Sequence, residues 1–336
     1  MTDSNATGAT IASAEDVVVR FPIGRQTLTA VDHVSLDVLE HEFVGLVGES
    51  GSGKSTLGRT FVRAQDPTSG SIRYRGQDIT HLSQRELRPI RRKMQMIFQD
   101  PFASLDPRMR VDRLISEPLR VHKVLPKAEV EQRVISLLEQ VGLPASAARR
   151  YPGQFSGGQR QRISIARAIA LDPEFLVADE PVSALDVSIQ AQIMQLLMDL
   201  RSSLGLSALV IAHDLALVQQ VTDRVAVLYL GQIVEEGATD DVVFQPAHPY
   251  TASLVAATPL TNPTLERARE RIILSGEQPS PISPPSGCRF HPRCPVAIDR
   301  CRTEAPELVE IAPRRKVACH LPFEVASPLE GVAVAG

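Results

Sequence analysis

The chain reads as an α/β protein on a largely parallel sheet, with a helical insertion and a small cysteine-bearing extension at its C-terminal end. Three observations predict this. Short apolar runs at Glu42–Gly48, Phe175–Ala178, Ala208–Ala212 and Val225–Leu230 are each followed by polar or glycine turns, as buried parallel strands are. Residues 85–140 are rich in Arg, Glu, Leu and Gln at helical spacing and carry few strand signals. All 4 cysteines fall between Cys288 and Cys319.

Taken in order, residues 1–14 are small and polar, a disordered lead-in. Residues 15–258 alternate strand-like and helix-like stretches, with the helical subdomain at about 85–170. Residues 259–287 form a Pro-rich linker containing a short charged segment at 264–273 and the stiff run Gln278–Pro285. The cysteine segment spans 288–324, and 325–336 is a loose tail. No internal repeat is visible.

Composition narrows the function. With 43% hydrophobic and 22% charged residues, the 336-residue chain looks globular. A net charge of -3 gives no basic footprint for nucleic acid. No apolar run approaches the roughly 18–20 residues that span a bilayer. The first residues lack a charged-then-apolar signal layout. A cytoplasmic protein is expected, meeting membranes only through partners.

Gly48-Glu49-Ser50-Gly51-Ser52-Gly53-Lys54-Ser55 fits G-x-x-x-x-G-K-[ST] between a predicted strand and a helix starting at Lys54. Glycines let the backbone curl so that N–H groups point at phosphate oxygens. The helix N-terminus, including Thr56, adds a favourable dipole. Lys54 would bring charge to the β- and γ-phosphates, and Ser55 a hydroxyl to Mg²⁺. The competing reading is a glycine-rich turn with a surface lysine. The right flanks count against it.

Phe175–Ala178 ends in Asp179-Glu180. Asp179 is placed to reach Mg²⁺ and Glu180 to polarise an attacking water. Such a pair alone is usually a solvated turn; a phosphate loop in the same chain changes its meaning.

About twenty positions before the acidic pair stands Phe155-Ser156-Gly157-Gly158-Gln159. Small residues at a helix start expose N–H groups to an anion. From about residue 17 to 258 the ordered series resembles the nucleotide-binding subunit of ATP-binding-cassette (ABC) transporters. The resemblance implies an ABC-type phosphate-loop ATPase domain using ATP and Mg²⁺. It identifies Gln99 as the glutamine that touches Mg²⁺ and the water, Ser183–Asp186 as the D-loop and His213 as the switch histidine. Phe21 resembles the aromatic that stacks on adenine, against the reading of an edge-strand core Phe. Ser156, Gly157, Gly158 and Gln159 would bind the ATP held by a partner subunit, so one chain cannot complete a site. Leu39-Glu40-His41-Glu42 departs from the family, which usually has Gly before the Glu.

Phe102–Arg108, Asp179–Ser188 and His248-Pro249-Tyr250-Thr251 are similar to importers of dipeptides and oligopeptides, in the F-type ATPase subunit. That implies a paralogous ATPase partner, two permease subunits and, indirectly, an extracytoplasmic binding protein. Nickel and other small-solute importers share the lineage. A soluble ABC ATPase of DNA repair or translation is the alternative of another class; those resemble two-cassette chains. A nucleotide-gated scaffold without turnover is disfavoured by an intact Glu180 and His213.

Cys288, Cys294, Cys301 and Cys319 are spaced C-x5-C-x6-C-x17-C. Zinc modules usually contain a close C-x2-4-C pair, which is missing here. A [4Fe–4S] cluster is expected, with Arg289, Arg293, Arg300 and Arg302 offsetting its charge. Zinc, or free thiols in a packed subdomain, remain alternatives, and His291 or His320 could replace a ligand. A cluster would staple a segment too small for its own core.

Overall fold

The computed structural model describes residues 8–183, 185–257 and 277–325. Two sheets organise it. The first is antiparallel, in the order β2–β1–β4–β5: β1 (Thr10–Ile23), β2 (Gln26–Leu39), β4 (Ser69–Tyr74) and β5 (Gln77–Asp78). The second is built from β3 (Phe43–Val47), β6 (Met94–Ile97), β7 (Phe175–Asp179), β8 (Ser207–Ala212), β9 (Arg224–Tyr229), β10 (Gln232–Ala238), β11 (Val309–Ala312) and β12 (Arg315–Val317). Its order is β11–β12–β10–β9–β3–β8–β7–β6. The five strands β9–β3–β8–β7–β6 pair in parallel, and every residue of β3, β7, β8 and β9 is buried. Burial on both faces is why these strands read as continuous apolar runs.

The helices are α1 (Lys54–Phe61), α2 (Gln84–Lys93), α3 (Pro101–Ser104), α4 (Val111–His122), α5 (Val130–Gln140), α6 (Gly157–Ala168), α7 (Val187–Leu204), α8 (Leu215–Gln219), α9 (Thr239–Phe244), α10 (Pro249–Ala257) and α11 (Asp299–Thr303). Between β6 and β7 the described chain carries helices and no strand. There α4, α5 and α6 bury Leu114, Leu119, Val134, Leu137 and Ile163, together with Phe155 just ahead of α6, in one cluster that reaches α7 through Ile193 and Leu197. Phe155 is buried, and the Arg150 guanidinium lies 4.4 Å over its ring.

Two sequence expectations change. β1 begins at Thr10, inside the stretch read as a disordered lead-in; Ile11, Ala12 and Ala14 are buried against β2 and β4, enough apolar contact to order it. The C-terminal segment is also not a separate body on a linker. β12 pairs antiparallel with β10, Glu235 opposite Val317, and the β11–β12 hairpin extends the main sheet. Arg315 reaches buried Glu235 at 3.4 Å, and Glu235 also accepts the N–H groups of Ala247 (2.8 Å) and His248 (2.9 Å). The charged segment 264–273 lies outside the described residues.

The departure at Leu39–Glu42 has a local explanation. His41 adopts φ 61°, the left-handed conformation that favours glycine. Its N–H donates to Ser207 Oγ (2.8 Å), its carbonyl accepts from Arg201 (2.8 Å), and its Nδ1 lies 3.0 Å from the Gly205 carbonyl oxygen. These contacts hold the turn without a glycine.

Candidate functional site

The end of β3 turns into a loop that leads straight into α1. Gly53, at the helix N-cap, has φ 106°, and a Cβ there would stand 2.1 Å from the Ala30 carbonyl oxygen. Only glycine fits this position. The loop therefore presents backbone N–H groups at a helix start, an arrangement suited to an anion. Ser50, Gly51, Gly53, Lys54, Ser55 and Thr56 line a cavity of about 340 Å³. Phe21, Leu28, Gln99, Glu180 and Pro281 complete much of its wall. Gly48 and Ser52 lie beneath: Gly48 abuts the Leu228 carbonyl, and Ser52 is buried with its own carbonyl accepting from Gly231 N (2.8 Å).

Lys54 is buried and donates to the carbonyls of Gly48 (2.7 Å) and Glu49 (2.8 Å). Burial lowers its pKa, opposed by the charges of Glu180, Asp179 and Glu49. Ser55 Oγ donates to Asp179 Oδ1 at 2.7 Å. Asp179 is 0% exposed, and its Oδ2 has no hydrogen-bond partner, only Arg59 at 3.8 Å. Burial raises the Asp179 pKa against the pull of Ser55 and Arg59. A buried, unsatisfied carboxylate oxygen beside a hydroxyl fits a divalent cation.

Glu180 follows directly on β7 with φ 45°, a strained backbone for a non-glycine residue. Its N–H donates to the Ile211 carbonyl (3.0 Å), and its carboxylate accepts from Gln99 Nε2 at 2.8 Å. Gln99 and Glu180, 81 residues apart, thus meet at the cavity. Phe21 reaches the same wall from β1 while packing partly on the core of the first sheet. His213 is exposed one residue beyond β8 and does not line the cavity.

The Ser156–Gln159 stretch is elsewhere. Ser156 caps α6 in a reciprocal box: Gln159 N donates to its Oγ (3.4 Å), and Ser156 N donates to Gln159 Oε1 (3.1 Å). A Cβ on Gly158 would sit 2.5 Å from Ile189 Cγ2, so glycine lets α6 start tight against α7. None of these four residues lines the phosphate-loop cavity.

The iron–sulfur expectation for Cys288, Cys294, Cys301 and Cys319 is overturned, and zinc with it. Among the described residues, no group of three or more His, Cys, Asp or Glu side chains could hold a metal ion, and all four cysteines are free. Burial pushes the thiols of Cys288, Cys294 and Cys319 up, Cys319 to about 11. Cys288 and Cys294 pack on an apolar cluster containing Tyr229, Tyr250 and Phe290, and Cys301 is buried. The four nearby arginines are engaged with carboxylates instead: Arg289 with Asp32, Arg293 with Glu49, Arg300 with Glu304, Arg302 with Asp299. His291 Nδ1 lies 2.9 Å from the Cys288 carbonyl oxygen and His320 Nε2 2.9 Å from that of Glu304. The staple is an aromatic one: the rings of Tyr229, Tyr250 and Phe290 stand 4.6–5.4 Å apart.

Sequence reading missed three contributors. Arg59 meets Asp179 from the α1 turn after Lys54. Pro281 reaches the cavity from the Pro-rich run. Tyr250 accepts the Glu49 N–H through its hydroxyl at 2.8 Å; the stretch His248–Thr251 stood out in sequence, but nothing there pointed to the phosphate loop.

A phosphate loop joined to an acidic strand end across a parallel sheet defines a phosphate-loop nucleotide-binding protein. The chain belongs to the ATP-binding proteins of ABC transporters. The ABC transporter family pattern matches residues 31–183, and that of the oligopeptide/dipeptide transporter C-terminal region matches 234–301. AppF of Bacillus subtilis (strain 168), an oligopeptide transport ATP-binding protein, is 49% identical over 320 residues, covering 93% of this chain and 97% of its own. YkfD of the same organism is 52% identical over 298 residues, 88% of this chain and 91% of its own. Among solved structures, the dimeric bacterial ABC transporter cassette MJ0796 aligns with a TM-score of 0.63 at 31% identity, covering 68% of this chain and 99% of that one.

Proposed function

We propose that this chain is the F-type ATPase subunit of a dipeptide or oligopeptide importer. It would work at the cytoplasmic face of the membrane with two permease subunits and a paralogous ATPase. Among the described residues no helix is long and apolar enough to cross a membrane, so transport needs such partners. The observation that carries the reading is the split between two half-sites. Lys54, Ser55, Gln99 and Glu180 share one cavity, while Ser156–Gln159 lies outside it. A signature that does not serve its own phosphate loop supports a site completed by a second subunit.

In this reading Phe21 stacks on adenine, and the loop N–H groups and Lys54 hold the phosphates. Ser55, Asp179 and Gln99 would hold Mg²⁺, which neutralises charge developing on the phosphates. Glu180, hydrogen-bonded to Gln99, orients and polarises the attacking water. His213 stabilises the γ-phosphate once the subunits close. Ser156, Gly157, Gly158 and Gln159 contact the partner's ATP at the α6 N-terminus. ATP then holds the two ATPases together, and hydrolysis releases them.

The test is a complex purified through a tag on this chain and reconstituted in liposomes with its binding protein. ATP hydrolysis should rise when di- or oligopeptides are added. Stimulation by nickel alone would favour the related small-solute importer. Co-purification with nucleic acid and no membrane protein would refute both.

A further inference from the structure

We propose that Arg293, in the C-terminal extension, is a positioning residue of the nucleotide site: it neutralises Glu49 inside the phosphate loop and so sets the loop's affinity for triphosphate. The inference rests on the phosphate-loop reading above.

Glu49 is the second residue of a loop whose task is to gather N–H groups around an anion. A carboxylate there opposes the phosphates by Coulomb repulsion. Its charge acts at the site, since it is one of three carboxylates bearing on Lys54. Arg293 meets it from 244 positions away, with Nη1 at 2.8 Å from Oε2 and Nη2 at 2.9 Å from Oε1. This two-pronged geometry is the strongest way to cancel a carboxylate's charge, and only arginine supplies it. The pair is sheltered: the Arg293 side chain is 9% exposed and that of Glu49 27%.

Arg293 is not reaching in from a loose tail. It closes a short 3₁₀ turn, donating its N–H to the Phe290 carbonyl at 3.0 Å. Phe290 is 1% exposed and wedged edge-on against Tyr229. Tyr250, in the same aromatic group, accepts the Glu49 N–H. Glu49 is thus fixed by its main chain and by its side chain, both through groups C-terminal to β10. Pro281, from the segment leading to the extension, adds a wall to the same cavity.

A competing role for Arg293 is mechanical, pinning the extension to the ATPase core. The two roles separate when the Glu49 charge is removed. The experiment is equilibrium binding of a fluorescent ribose-labelled ATP, with Mg²⁺, to the purified full chain. Arg293→Gln should weaken binding roughly tenfold, the effect of one partly screened charge beside the phosphates. Arg293→Lys, which keeps the charge but not the two-pronged fork, should fall between wild type and Arg293→Gln. Glu49→Gln placed on Arg293→Gln should restore affinity to within about twofold of wild type. The Arg293→Gln defect should also shrink as salt rises, because the unpaired carboxylate becomes screened. Binding by the double variant as weak as by Arg293→Gln would overturn the proposal in favour of pinning, and wild-type binding by Arg293→Gln would overturn it outright. Lys54→Ala serves as control: wild-type affinity there would bring down the phosphate-loop reading and this inference together, whereas lost affinity leaves Arg293 judged on its own variants.

Discussion

Glu180 follows a fully buried strand in left-handed backbone, held by the Ile211 carbonyl and by Gln99. Strain of this kind costs of the order of 1–3 kcal/mol and persists where the surroundings over-determine a position. Here it aims a carboxylate into the phosphate cavity. Glu180→Gln keeps the shape and a hydrogen-bonding group but loses the base. ATP binding should survive, and turnover in the assembled transporter should fall by about 100-fold or more. Steady-state hydrolysis beside nucleotide binding checks this; near-normal turnover would remove Glu180 from its role. Residues of this kind were legible in sequence because their meaning is local. Gly48–Ser55 must follow a strand and open a helix, and Asp179-Glu180 must end one. The pairing of Arg293 with Glu49 was illegible for the opposite reason: nothing near either residue marks a partner 244 positions away. The cysteines misled because spacing says nothing of desolvation. Cys288 and Cys294 pack against the aromatic cluster, where burial raises their thiol pKa.

At the scale of elements, the parallel strands were legible because burial on both faces demands uninterrupted apolar residues. The β11–β12 hairpin was not. Its strands are short and β11 is largely exposed, so no pattern says which sheet edge it joins. The structure answers with charge. Arg315 meets Glu235, Lys316 lies near Glu236, and Arg314 reaches Glu42. Glu235 is 0% exposed, and burial holds its carboxyl above the ordinary range even with Arg315 and two N–H groups on it. Arg315→Gln would leave that carboxyl without its cation, a loss of about 3 kcal/mol by the measure of broken buried pairs. Hydrogen exchange should show early loss of protection across 309–317 with β3 and β7 unaffected. Unchanged protection would mean the main-chain pairing alone holds the hairpin.

Across the whole molecule, the extension and the ATPase core share one sheet and one aromatic cluster, so they should lose structure together in acid. His248 is the sensor. It is fully enclosed, its Nδ1 accepts the Tyr250 N–H (3.0 Å), and burial lowers its pKa from 6.5 to about 3. The unfolded chain therefore binds a proton that the folded chain refuses. Stability from this group is complete above pH 6.5 and declines as pH falls toward 3. Between pH 7 and 5 the loss should be about 2 kcal/mol. His248→Asn, which keeps an acceptor but cannot titrate, should flatten that slope in urea-denaturation curves. An identical slope in both proteins would assign the acid sensitivity elsewhere.

The central claim is that this chain owns only half of each working site. The direct measurement is the mass, by native mass spectrometry, of the Glu180→Gln protein co-expressed with its paralogous ATPase and purified without the permease subunits. With ATP and Mg²⁺ the account predicts this chain bound to a second ATP-binding chain with two ATP between them, and separation when ADP replaces ATP. The same mass with either nucleotide, or one ATP on an isolated chain, would contradict it.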